Sequence, residues 1–274
     1  MKVILSRKGF DTTDGGTPSP ILPDGTLLSM PIPSSDVETF QDIAYEGVSY
    51  SSILEQLTGN QEFKEMHCHL DPDIREGVRK VTPSNWKAAF GQWDTAQGEL
   101  RNNDVGIGDL FLFYGMFQET EGDFKEGTLH YKKNSPKLNV IYGYVQIGEM
   151  ISDPEELVKN YSWHPHSSKS RRGVLNKNGT DKNMLYLPSE ELSFDPSKKG
   201  YGVFNFSEDL VLTLSGHSMS VWKEIPALAP SCFCKNLTNQ AKGEGYQYSG
   251  RSGQEKVSKP DNETVEWAKS LLRD

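Results

Sequence analysis

Leu110-Phe111-Leu112-Phe113-Tyr114-Gly115-Met116-Phe117 is the most hydrophobic run in the chain. It is far too short for a membrane-spanning helix, which takes about 20 apolar residues. Bounded upstream by Gly106-Ile107-Gly108-Asp109, it reads as a core strand. A second strand is expected over Val140–Ile147, after a charged, hairpin-like excursion around residues 119–137. Shorter strands are expected at Val3–Leu5, Leu185–Tyr186, Gly202–Phe206 and Leu210–Leu214.

Helix signals interrupt these strands. Ser52 and Glu55 have capping-box spacing, predicting a short helix over Ile53–Leu57 that Gly59 ends. Asp71-Pro72 reads as an N-cap and first helical position of a helix toward Lys80. Thr82-Pro83 predicts a longer helix carrying Trp86, Ala89, Phe90 and Trp93 on one face. Asp153-Pro154-Glu155-Glu156 places acid at the positive end of another, and Thr264–Leu272 reads as a closing amphipathic helix. No repeat and no regular βαβ spacing is present. The expected fold is therefore α+β: a mixed, largely antiparallel sheet with flanking helices. The Gly108-Asp109 turn into a central strand adds, by analogy, a small β-barrel-like (PUA-like) core.

At 274 residues the chain is expected to form a single domain, with residues 225–274 as a C-terminal extension. Its net charge of −9 argues against gripping a long run of duplex phosphates, which calls for a basic stripe. The partner class is then a nucleotide or modified nucleobase, or DNA through a local site. Met1 to Arg7 holds too short an apolar stretch for a signal peptide. Cys68, Cys232 and Cys234 make no disulfide framework, so a reduced, cytoplasmic protein without a membrane partner is expected.

Four of the six histidines fall in two His-x-His steps, His67-Cys68-His69 and His164-Pro165-His166. In extended chain, residues i and i+2 share a face. The first step leads into Asp71, so two imidazoles and a carboxylate can converge, the donor types that iron, zinc or manganese accept. His67, His69, Asp71, His164 and His166 are the candidate metal ligands. The bland alternative is that Asp71 caps a helix and the histidines flank it. Arg7 and Lys8, on a glycine-rich turn after the first strand, are candidate anion-binding residues, and Asp11 could complete a reactive centre. Arg172, in the basic stretch Lys169 to Arg172, follows the second histidine step closely enough to add positive charge.

Ser6-Arg7-Lys8-Gly9-Phe10-Asp11, Gly15-Gly16, Pro18-Ser19-Pro20-Ile21 and Pro31-Ile32-Pro33 resemble the opening of one bacterial and phage family. His69-Leu70-Asp71-Pro72-Asp73, Gly108 to Gly115 and Trp163-His164-Pro165-His166 extend the likeness. The chain resembles the third family of nucleotide modification associated domains, from residue 1 to about 225, with Arg251 to Glu255 also in keeping. The resemblance implies gene company with systems that make modified DNA bases, with proteins of those systems as possible partners. It also brings Arg251 toward the site. The resulting expectation is a metal-assisted enzyme acting on a nucleotide or modified base, with His69, Asp71, His164, His166 and Asp11 as reactive groups. The alternative is a non-catalytic module that binds the same ligand.

Overall fold

A computed structural model describes residues 1–234, 244–248 and 253–273. The fold is α+β, with four α-helices among the described residues around a large mixed sheet that curls into a half-barrel. Along its main path the strands run Glu255–Val257, Val3–Arg7, Leu110–Glu121, Leu138–Ile151, Asn183–Pro188 and Phe90–Trp93. Val3–Arg7 lies parallel to Leu110–Glu121, in register Val3 with Leu110 through Arg7 with Tyr114. Ser19–Ile21 is also parallel to that long strand, whereas the other pairings of the main path are antiparallel.

The apolar run forms the strand expected of it because every one of its side chains finds cover: Leu110 to Phe117 are all buried. Phe90 meets Phe111 and Phe113 edge-on at 4.8 and 4.9 Å between ring centroids, a favoured aromatic arrangement. The Leu138–Ile151 strand is bent by register shifts between Ile141 and Gly143 and between Ile147 and Glu149. Such bulges increase local twist and bend a strand. Its start pairs with Leu110–Glu121, and its end with Asn183–Pro188, which in turn carries Phe90–Trp93. The two ends of the sheet thereby approach each other: Gln92 Nε2 donates to Glu255 Oε1, and the Lys8 ammonium stands 4.8 Å over the Phe90 ring.

Asp153 caps the helix Pro154–Tyr161 by accepting from the amides of Glu155 and Glu156. The closing helix spans Glu263–Leu271. Four local expectations are corrected. The first helix, Tyr50–Thr58, starts three residues earlier than the Ser52 spacing implies, because Ser49 is the cap and accepts from the Ser52 amide; Gly59 ends it at φ 72°. No helix opens at Asp71-Pro72, whose peptide is cis. There, Asp71 accepts from the distant Gly91 amide instead of from the amides that follow it, and Asp73 exchanges both backbone bonds with Ala89. The predicted helix through Trp86 and Trp93 is likewise absent: Phe90–Trp93 is a strand, and the helix begins only at Asp94. Its apolar residues serve separate ends, since Phe90 enters the sheet core while Trp86 Nε1 donates to Asp73. Leu210–Leu214 is not a strand either; Val211 and Thr213 make isolated bridges to Val140 and Trp222.

Candidate functional site

Four separate segments meet above the Gly91 end of the sheet. The short strand Cys68–His69 pairs with Ile32–Pro33, aligning His69 with Ile32. Asp36, just beyond that pairing, accepts from His69 Nδ1 at 2.7 Å. Helix Pro154–Tyr161 is anchored by Leu157 and Tyr161 in a small core with Ile151, Leu185 and Leu187, against which Trp163 packs. Its C-terminus leads directly into the His164-Pro165-His166 turn, where Pro165 opens a short 3-10 segment. His164 Nδ1 accepts from the His166 amide at 3.3 Å.

These placements fix the tautomers. Asn183 Nδ2 donates to the His166 carbonyl at 2.9 Å, so its Oδ1, at 2.7 Å from His166 Nδ1, is the acceptor. His166 Nδ1 therefore carries hydrogen and its Nε2 a lone pair. The Asp36 carboxylate likewise fixes a hydrogen on His69 Nδ1. Both Nε2 atoms face one oxygen, Asp71 Oδ2, at 3.7 Å from His69 and 3.8 Å from His166. One ligand atom from each of His69, Asp71 and His166 lies within 4.8 Å of the others, a group that could hold a metal ion. Asp71 Oδ1 is occupied by the Gly91 amide at 2.7 Å, with His164 Nε2 at 3.4 Å.

Burial opposes ionisation of Asp71, but the hydrogen bond from His164 foremost holds its carboxyl well below the usual range. Burial pushes His166 well below the usual imidazole range despite the attraction of Asp71, so its ring is neutral. Asp36 behaves like Asp71: hydrogen bonds from His69 and Arg171 overcome its burial and keep it ionised. Arg171 secures that carboxylate from behind, with Nη1 at 2.6 Å from Oδ1 and Nη2 at 3.2 Å from Oδ2.

The group opens onto a cleft of about 710 Å³ that Arg7, Lys8, Asp11, Gln92 and Glu255 also line. Lys8 is paired with the buried Glu255 at 3.2 Å, while Arg7 lies 3.5 Å from Asp11. Asp11 also accepts the Thr13 and Asp14 amides and stands apart from the histidine group. His67 is exposed, with Nδ1 on the Val37 carbonyl, because the extended stretch is too short to keep both histidines on one face. Arg172 donates to the Ser167 carbonyl, and its neighbour Arg171 lines the cleft together with Arg7. Arg251 lies outside the described residues. Asp36, Asn183 and Gly91 went unnoticed in the sequence. Asp36 sits in a Ser-Ser-Asp turn and Asn183 begins a strand, so neither carries a local signal.

Residues 2–264 match the family described as nucleotide modification associated domain 3. The chain belongs to that family. Its description ties this domain to nucleotide modification. No curated protein and no solved structure matches the chain. Among the described residues, no helix is long and apolar enough to cross a membrane.

Proposed function

We propose that this nucleotide modification associated domain is a metal-assisted enzyme acting on a nucleotide or modified base. One observation carries the reading: two imidazole Nε2 atoms, each turned inward by a hydrogen bond on the opposite nitrogen, converge on one carboxylate oxygen. Three lone-pair donors facing one another repel unless a cation lies among them. Asp36 and Asn183 act as the outer partners that orient metal-ligating histidines in known sites. Two histidines and one carboxylate suit iron, zinc or manganese. A bound cation would polarise a substrate oxygen or activate water there.

His69 reaches the centre from the end of the short strand and Asp71 from the segment just after it, and His166 reaches it from the turn after the helix. Their common side faces the cleft, where a substrate has room. His164 serves as a positioning residue: its Nδ1 accepts a backbone bond, leaving the proton on the Nε2 that faces Asp71. The test is elemental analysis of untagged protein beside a His69→Ala/His166→Ala variant shown to be folded. Near-stoichiometric iron, zinc or manganese in the wild type alone is expected. No metal after anaerobic reconstitution overturns the proposal and leaves a metal-free binding module.

A further inference from the structure

Lys256 is 2% exposed, yet its ammonium has no carboxylate within ion-pair distance among the described residues. Its hydrogen-bond partner there is the Tyr114 hydroxyl at 3.1 Å. The rings of Tyr114, Trp222 and Tyr248 surround it at 5.6–5.9 Å. Cation–π contacts offset part of the desolvation of such a charge but leave its N–H groups short of acceptors. This contrasts with Lys8, whose charge Glu255 neutralises.

Lys256 lines a side chamber of about 210 Å³ that also holds Arg7, Asp11 and Tyr114. Arg7 and Asp11 line the main cleft too, so the two spaces meet at that pair. Among the described residues, two cations against one carboxylate leave the chamber's lining net positive. Asp11 already accepts two amides, and Tyr114, having accepted from Lys256, keeps its own proton to give. Unused donors of Lys256, Arg7 and Tyr114 thus converge in a space sized for one small oxyanion.

We infer that this chamber binds the terminal phosphate of a free nucleotide, whose remainder extends past Arg7 into the cleft. The direction of the substrate rests on the metal-site reading; the anion site does not. A buried ammonium in a small chamber suits a terminal phosphate better than a continuous duplex backbone, and the net charge of −9 disfavours the duplex as well.

Isothermal titration of metal-free protein with deoxynucleoside monophosphates, deoxynucleosides, inorganic phosphate, acetate and a short duplex tests this. Monophosphates should bind at least about tenfold more tightly than nucleosides, the worth of one charge-assisted bond. Lys256→Met should abolish that difference while the protein melts no lower. The inference is overturned if the variant binds monophosphates as the wild type does. It is equally overturned if acetate matches phosphate or if the duplex outcompetes the monophosphates. Metal content, measured in parallel, should be unchanged in the variant. Lys256-dependent phosphate binding in a protein that takes up no metal would sink the metal reading alone. Should Lys256→Met fail to fold, wild-type crystals soaked in tungstate give the answer. Anomalous density against Lys256 Nζ supports the site, and its absence there refutes it.

Discussion

Replacing Gly91 by alanine would drive a methyl group into the His166 ring. The added Cβ would stand 2.6 Å from His166 Nε2 and nearer still to Cδ2 and Cγ. The backbone at Gly91 is outside the left-handed region, so the ring supplies the whole objection. That ring has little freedom to yield, because His166 is 2% exposed and Asn183 holds both its Nδ1 and its carbonyl. Forcing an extra methyl into a packed interior costs about 1–3 kcal/mol. Breaking the Asn183 bond orphans a buried polar group at a further cost of about 1–3 kcal/mol. The combined loss is about 2–6 kcal/mol, which at about 2–4 °C per kcal/mol lowers Tm by about 4–24 °C. Calorimetry on metal-free protein reads this directly. The decisive comparison is the same change in a His166→Ala background, where the methyl has room and costs under about 1 kcal/mol. An equal cost in both backgrounds would refute the claim that His166 is wedged against Gly91.

Three other expectations follow from the same geometry. Asp36→Asn removes the carboxylate that orients His69, so metal affinity measured against a competing chelator should fall about 10–100-fold. In chelator-treated protein, wild type should be more stable than Asp36→Asn by a margin that is full above about pH 4. Because the folded carboxyl lies below its usual range, that margin should shrink as pH falls further; a margin growing toward acid would contradict the ion pairing. His164→Ala should weaken metal binding yet keep its stoichiometry, whereas His166→Ala should abolish it; equal losses would make His164 a ligand. Burial pushes the Cys68 thiol far up, so alkylation followed by peptide mass spectrometry should label Cys232 and Cys234 in the native protein and Cys68 only after unfolding.

The strands were legible where local composition forced them. Leu110–Phe117 is too apolar to lie anywhere but in the core, and Asp153-Pro154 satisfies the orphan amides of its own helix. The two His-x-His segments and Asp71 were also legible, because their donor chemistry is written in residue type. Which of those donors meet was decided elsewhere. Asp36 lies 33 positions from His69, Asn183 lies 17 from His166, and Gly91 lies 20 from Asp71. Those separations bring no partner within reach of a local pattern. The same long-range bonds explain the two failed helices, since Asp71 and Asp73 gave their polar groups to Gly91 and Ala89 instead of to a helical turn. Local sequence determined which donors this protein owns. The closure of the sheet decided which of them face one another, because only a packed interior brings two imidazoles and a carboxylate from separate segments into one place.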